Sequence, residues 1–148
     1  MKEENQVLWS MYQEHCVQGR HHETQRSTVT SILLSISAAI LALVSLDKEI
    51  TRADIPMGLL LIVIGLFGAL FCAKHYERFR IHMKRARNYR DALDANISEI
   101  DIKKLKKIAD ETHASADILS TLPLNKLWVF LNVLIAVIGV FVALVGSR

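Results

Sequence analysis

Residues 56–73 read PMGLLLIVIGLFGALFCA, and this stretch decides the fold class. It contains no Asp, Glu, Lys or Arg. At about 1.5 Å per residue, a helix of this length crosses most of a hydrocarbon core roughly 30 Å thick. Backbone polar groups in lipid must pair within their own segment, so the stretch should form an α-helix. The sequence therefore predicts a transmembrane helix at residues 56–73.

Two further stretches have the same character. Residues 28–46 read TVTSILLSISAAILALVSL, and residues 127–146 read LWVFLNVLIAVIGVFVALVG, again without Asp, Glu, Lys or Arg. The chain of 148 residues is 51% hydrophobic and gathers those residues into blocks, whereas a soluble domain would disperse them along amphipathic elements. We therefore predict an all-α integral membrane protein with three transmembrane helices.

Charge predicts the orientation of these helices. The linker at residues 47–55 carries three acids and two bases, whereas residues 74–90 carry seven bases and one acid. Because basic loops stay in the cytoplasm, residues 1–27 should form an N-terminal cytoplasmic helix and residues 47–55 an outside turn. Residues 74–126 should be a basic cytoplasmic helical segment, and the C-terminus should lie outside. We expect no cleaved signal peptide, because a polar segment with four glutamates precedes the first span.

The first two spans should continue beyond the membrane. Apolar side chains recur at helical spacing before the first span and after the second, and no proline interrupts either stretch. We predict one helix from about residue 5 to 46 and another from about residue 57 to 94, paired as a long antiparallel helical hairpin that extends into the cytoplasm. On the second helix the packing stripe comprises Tyr76, Phe79, Met83, Ala86 and Leu93.

A short amphipathic helix should follow. Asp101 is placed to cap its first turn, and the helix should run through His113. Its apolar residues Ile102, Leu105 and Ile108 should face inward, with the lysines outward. Pro123 suits the turn into the third span.

The spans contain stripes of small residues that allow close helix approach. One interpretation is packing within a single three-helix subunit; the other is an oligomer interface or a weakly polar pore lining. The first span is the better candidate for a pore lining, because its hydroxyls share one face. Asn132, in the third span, carries a side-chain amide, and such a residue more often bonds a neighbouring helix than contacts an ion. The candidate pore-lining or helix-packing residues are Ser31, Ser35, Ala38, Ala42 and Asn132.

The basic run after the second span has three interpretations. It is a topology determinant in contact with anionic lipid, a site for an anionic ligand such as a nucleotide, or a nucleic-acid surface. Nucleic acid is disfavoured, because base readout needs more than charge. The candidate lipid- or ligand-binding residues are Lys74, Arg78, Arg80, Lys84, Arg85, Arg87 and Arg90.

No motif indicates catalysis, a cofactor or a metal. The same-face histidine pairs, His15 with His22 and His75 with His82, are seven residues apart, whereas helical metal ligands are usually three or four apart. We expect these histidines to lie between packed helices or in the headgroup zone. The two cysteines indicate no disulfide framework. The spans lack the ionisable residues that a proton-coupled pump or carrier needs, which argues against that function. Because no catalytic motif occurs either, we predict a protein that is not an enzyme.

The order of helices and spans in the first two thirds of the chain is distinctive. A polar helix with histidine and arginine, YQEHCVQGRHHETQRSTVTSILLSISAAILAL, leads directly into a span rich in serine and threonine. After a short turn and a glycine-rich span comes CAKHYERFRIHMKRARNYRDAL, a basic helix with aromatic residues. This arrangement resembles the SLATT group of small bacterial membrane proteins. The resemblance covers roughly residues 8–95, and the third span is an addition to a two-span pattern.

The resemblance implies an oligomeric pore-forming or membrane-disrupting effector of bacterial anti-phage defence in the inner membrane. Its trigger would be a nucleotide signal or a partner protein of the defence system, acting on the cytoplasmic helices. We expect membrane lipid and further copies of the chain as partners. The alternative is a non-enzymatic membrane anchor or scaffold for a soluble partner.

Overall fold

The computed structural model consists of helices and the connections between them. It describes residues 3–46, 48–97, 101–116 and 123–148, and for residues 113–116 it describes the backbone only. The four α-helices are α1 (Glu3–Val44), α2 (Ile55–Asn96), α3 (Ile102–Ala116) and α4 (Leu124–Gly146), and a 3₁₀ turn covers Arg52–Asp54. No strand occurs in these ranges.

The two long helices are confirmed. Helices α1 and α2 each contain 42 residues, and their ends lie within about two residues of the predicted ones. Helix α1 runs through Gly19 without interruption, although glycine costs about 1 kcal/mol in a helix interior. Helix α4 begins three residues before the predicted third span and ends with it at Gly146.

Helices α1, α2 and α4 are long and apolar enough to cross a membrane. Within the most apolar window of each helix, only 22%, 28% and 33% of the residues are buried. Large apolar side chains such as Leu70 and Val63 point outward instead, with exposed fractions of 72% and 62%. Water would make such a surface costly, whereas lipid would not. The three helices therefore indicate a multi-pass membrane protein.

The chain divides into two compact units. One, here called the basic unit, comprises Met1–Glu23 and Glu77–Pro123; the other, here called the apolar unit, comprises Thr24–Tyr76 and Leu124–Arg148. The division falls within helices α1 and α2, so each long helix contributes one segment to each unit.

The apolar unit packs α2 against α4 through small residues. A Cβ atom at Gly58 would lie 2.9 Å from the carbonyl oxygen of Gly139, and one at Gly65 would collide with the backbone nitrogen of Ala136. Without a Cβ atom, the two backbones come close enough for dispersion contacts, which replace the hydrophobic effect inside a bilayer. Ile40, Leu61 and Ile135 form the adjoining apolar core.

A tight connection joins α1 to α2 within the apolar unit. Lys48 has a φ of 60°, a left-handed conformation that few non-glycine residues adopt. The carboxylate of Asp54 then accepts hydrogen bonds from the backbone nitrogen and the hydroxyl of Thr51, at 2.8 and 3.1 Å. These bonds satisfy polar groups that precede α2 and fix the start of the 3₁₀ turn.

In the basic unit, the predicted packing stripe of α2 faces α1. Gly19 lies against Met83 and Phe79, whose atoms would be 3.1 and 3.5 Å from a Cβ at that position. Ala86 and Leu93 are buried further along the stripe. Packing against α1 is therefore seen for Phe79 and Met83, while Ala86 and Leu93 are buried as the stripe predicts.

Helix α3 is capped as predicted but packed differently. The Asp101 carboxylate accepts a hydrogen bond from the Lys104 backbone nitrogen at 2.7 Å, and Asp94 accepts one from the Ile102 nitrogen at 2.6 Å. Leu105 and Ile108 are nevertheless 60% and 52% exposed. Ile102 is half-buried, and Leu105 lines a cavity beside α2, so the inward orientation is found for these two residues. The burial expected for Leu105 and Ile108 is not found, because no described side chain covers most of their surface.

Candidate functional site

The predicted lining residues of α1 share an uncovered face. Ser31, Ser35, Ala38 and Ala42 are all exposed. The Ser31 hydroxyl donates to the Ser27 carbonyl at 2.9 Å, and the Ser35 hydroxyl donates to the Ser31 carbonyl at 3.0 Å. Because these hydroxyls are satisfied within the helix, the face can meet lipid or another helix without stranding a donor. We call these four residues the small face.

Asn132 does not join the small face. It is fully buried, and its amide nitrogen donates to the Trp128 carbonyl at 2.8 Å. Its side-chain oxygen is buried, has no hydrogen-bond partner among the described residues and lies against Gly68. Of the two interpretations offered for this residue, its position in the structure fits helix packing.

A buried polar cluster surrounds Asn132, and the sequence pattern gave no sign of it. The Thr30 hydroxyl lies 3.2 Å from the Cys72 thiol, and the Asn132 amide nitrogen lies 3.6 Å from the same sulfur. All three side chains are at most 1% exposed. The cluster joins one residue from each of α1, α2 and α4, so it fixes their mutual register within the apolar unit.

The basic run does not form one site. Six of its seven members are exposed. Lys74 belongs to the apolar unit, and the other five lie at different angles around α2 in the basic unit: Arg78, Arg80, Lys84, Arg85 and Arg87. Arg90 is half-buried, and it donates from Nε and Nη2 to one oxygen of Asp91 at 3.1 and 2.7 Å. This hydrogen bond holds the pKa of Asp91 below its usual range. The run separates into members that face solvent and two, Arg87 and Arg90, that line a cavity.

That cavity belongs entirely to the basic unit. It has a volume of about 470 Å³ and lies where α1, α2 and α3 meet. Besides the two arginines, α3 contributes Lys106 and α1 contributes Tyr12. Neither Tyr12 nor Lys106 belongs to the basic run, and only folding brings the three helices together, so spacing along the chain does not predict their place in this cavity.

Three histidines form a second cluster in the basic unit. The Nδ1 atoms of His15 and His82 are 3.0 Å apart, so one ring donates to the other. His22 lies 5.4 Å from His82 between ring centroids, and Tyr89 stacks on His15 at 5.6 Å. Burial, followed by the neighbouring histidines, lowers the pKa of His82 and of His22. The expectation that histidines lie between packed helices is confirmed for this cluster.

His75 lies elsewhere, in the apolar unit, where its ring stacks on Phe71 at 4.1 Å. Within the described ranges, no group of three or more His, Cys, Asp and Glu is arranged to hold a metal ion. Both cysteines are free thiols. The side chain of His113 lies outside the described residues.

Comparison with protein-family models, curated proteins and solved structures finds no match to this chain.

Proposed function

We propose that this chain is an oligomeric pore-forming or membrane-disrupting effector of bacterial anti-phage defence, of the SLATT type. In this proposal α1 and α2 form a long antiparallel hairpin. Their apolar halves and α4 cross the inner membrane, with the N-terminus in the cytoplasm and the C-terminus outside. The cytoplasmic helices receive a nucleotide signal or a partner protein.

One observation carries the proposal: the small face of α1 is exposed, while the small residues of α2 are used inside the subunit. Gly58 and Gly65 already contact α4. Ser31, Ser35, Ala38 and Ala42 have no such neighbour among the described residues. A helix face of this composition is the kind on which membrane helices associate, so a second copy of α1 is a suitable partner.

The hydroxyl bonds of the small face support a two-state behaviour. In a single subunit each serine hydroxyl bonds to the carbonyl four residues earlier, which makes lipid an acceptable neighbour. In an oligomer the same hydroxyls can turn toward a water-filled lumen with little energetic cost, because water replaces the carbonyl as acceptor. A signal therefore needs only to shift the balance between lipid-facing and lumen-facing arrangements.

Dye release from proteoliposomes tests the proposal. Ser35→Leu and Ala42→Leu place bulky side chains on the small face and should abolish release of an encapsulated dye and toxicity on expression. Ile36→Leu is the matched control, since Ile36 is exposed on the same helix away from the small face. If Ser35→Leu, Ala42→Leu and the control all release dye like the wild type, α1 does not line a pore.

The alternative function, a membrane anchor or scaffold for a soluble partner, draws support from the exposed arginines of α2. Arg78, Arg80 and Arg85 project from the helix and could bind an acidic protein surface. A scaffold conducts nothing under any trigger. Absence of depolarisation in cells, together with partner release by Arg78→Gln and Arg80→Gln, would favour this second function.

A further inference from the structure

We propose that the cavity of the basic unit binds a small organic anion that combines an aromatic or apolar body with one phosphate group. The proposal rests on how the cavity wall is divided between apolar and cationic side chains. The role of this cavity as the trigger site of an effector rests on the proposed function. The binding of a ligand in the cavity does not.

Four of the side chains that line the cavity are apolar, and we call them its floor. Met83 and Ala86 contribute from α2, and Ile102 and Leu105 contribute from α3. Leu105 remains 60% exposed, so the floor offers apolar surface that no described side chain covers. A ligand body laid against this floor would remove that surface from water, at about 25 cal/mol for each Å² buried.

Three further lining side chains, here called the rim, are cationic: Arg87, Arg90 and Lys106. Among the residues that the structure describes, no carboxylate lines the cavity. Asp91 binds Arg90, and Asp110 pairs with Lys106, so these two cations are held in place but partly neutralised. Arg87 is exposed, and none of the described carboxylates forms an ion pair with it. Arg87 is therefore the residue best placed to bind a phosphate by paired hydrogen bonds.

Tyr12 lines the same cavity from α1. A hydrogen bond with the Cys16 side chain, followed by burial, raises the pKa of Tyr12, so its phenol stays protonated at neutral pH. Trp9 stacks on the Tyr12 ring, with 5.5 Å between the ring centroids. Tyr12 therefore gives the cavity an uncharged aromatic side chain beside the cations, which suits a ligand with an aromatic or apolar body.

The wall contributed by α3 is anchored at its start. Asp94 holds the Ile102 backbone nitrogen, and the Lys103 ammonium lies 4.0 Å from Asp91. These contacts position the first turn of α3, which carries Leu105 and Lys106, beside α2. A volume of about 470 Å³ is within the range of small-molecule sites.

Calorimetric titration of the full-length chain in an uncharged detergent tests the proposal. AMP supplies a flat body and a phosphate, adenosine supplies the same body without phosphate, and inorganic phosphate supplies the anion without the body. AMP should bind at least tenfold more tightly than either. Dihexanoyl phosphatidic acid, a short lipid with the same phosphate chemistry, tells a lipid headgroup from a soluble ligand. If it displaces AMP and binds more tightly, the phosphate at this site comes from lipid.

Two pairs of variants locate the site. Arg87→Gln should weaken binding about tenfold, because it removes a charged hydrogen-bond donor. Arg85→Gln, an identical change at an exposed position outside the cavity, should leave binding unchanged. Leu105→Trp should fill the cavity and block binding. Ile108→Trp, equally exposed on α3 but away from the cavity wall, should not.

The proposal is overturned if AMP and the short phosphatidic acid both bind no more tightly than inorganic phosphate. Equal loss in Arg87→Gln and Arg85→Gln would also overturn it, because general electrostatics would then explain the binding. The titration needs no membrane and no conductance. A binding site without dye release would therefore contradict the proposed pore function while leaving the site intact.

Discussion

The side-chain oxygen of Asn132 lies so close to Gly68 that a Cβ atom at position 68 would collide with it. This contact joins α4 to α2 at the buried polar cluster. Among the described residues, no group donates a hydrogen bond to this oxygen, and the missing side chain of Gly68 leaves room for it.

Gly68→Ala should therefore destabilise the apolar unit by about 1–3 kcal/mol, the usual cost of overpacking. Thermal unfolding in detergent, followed by circular dichroism, measures the loss. Gly19→Ala is the matched control: its new methyl meets the flexible Met83 side chain, and alanine gains about 1 kcal/mol of helix propensity. Asn132→Ala removes the colliding oxygen, so the double variant should lose less than the sum of the single variants. Equal effects of Gly68→Ala and Gly19→Ala would contradict the close contact.

Thr30→Cys should form a disulfide with Cys72. The Thr30 hydroxyl is 3.2 Å from the Cys72 sulfur, and a small adjustment brings two sulfurs to about 2.05 Å. The experiment uses membranes treated with copper phenanthroline, in a Cys16→Ser background, with mass-tagging of free thiols as readout. Ser31→Cys, one residue further along α1 on an exposed face, should not form this bond within a chain. Equal oxidation of both variants would contradict the register of α1 and α2 seen in the structure.

The histidine cluster should make the basic unit sensitive to mild acid. The pKa of His82 lies below its ordinary value of 6.5 because burial and the neighbouring histidines oppose its protonation. The unfolded chain therefore takes up the proton first, and stability that is complete above about pH 6.5 falls as the pH drops further. Two protonated rings would also place two donors face to face, 3.0 Å apart. Arg78 and Arg85 add positive charge near the ring.

Thermal unfolding scans at about pH 7.5 and pH 5.5 measure this sensitivity. The midpoint should fall at the lower pH in the wild type, and His82→Gln should reduce the fall. His21→Gln should reduce the fall less, because His21 is exposed and pairs with His22, and it is not among the groups that lower the pKa of His82. A wild-type midpoint that does not change with pH would mean that the His15–His82 pair tolerates protonation.

Asp101→Ala should loosen α3. The Asp101 carboxylate caps the Lys104 backbone nitrogen at 2.7 Å, and losing such a cap costs about 1 kcal/mol. Hydrogen exchange measured by mass spectrometry should show faster exchange in peptides covering residues 102–112. Asp110→Ala, which removes only the exposed pair with Lys106, should change exchange much less. Similar exchange in both variants would show that the cap does not hold the helix.

The sequence by itself determined the helices. The three apolar blocks lack formal charge and are long enough to cross a bilayer, and lipid leaves such a segment only the helical conformation. Because no proline follows or precedes those blocks at the relevant ends, α1 and α2 could be predicted to extend beyond them. Asp101, a suitable N-cap residue, predicted the start of α3. These features are local, so composition and spacing were enough to predict them.

Tertiary structure alone decided what each helix face contacts. Spacing indicated small residues on all three spans. Only the folded structure shows that Gly58 and Gly65 pack against α4 and that the small face of α1 stays uncovered. It also brought His15 to His82, 67 positions apart, and joined Tyr12 and Lys106 to Arg87. The burial expected for Leu105 and Ile108 is absent for the same reason. Periodicity identifies an amphipathic face, but the partner of that face depends on how distant helices pack.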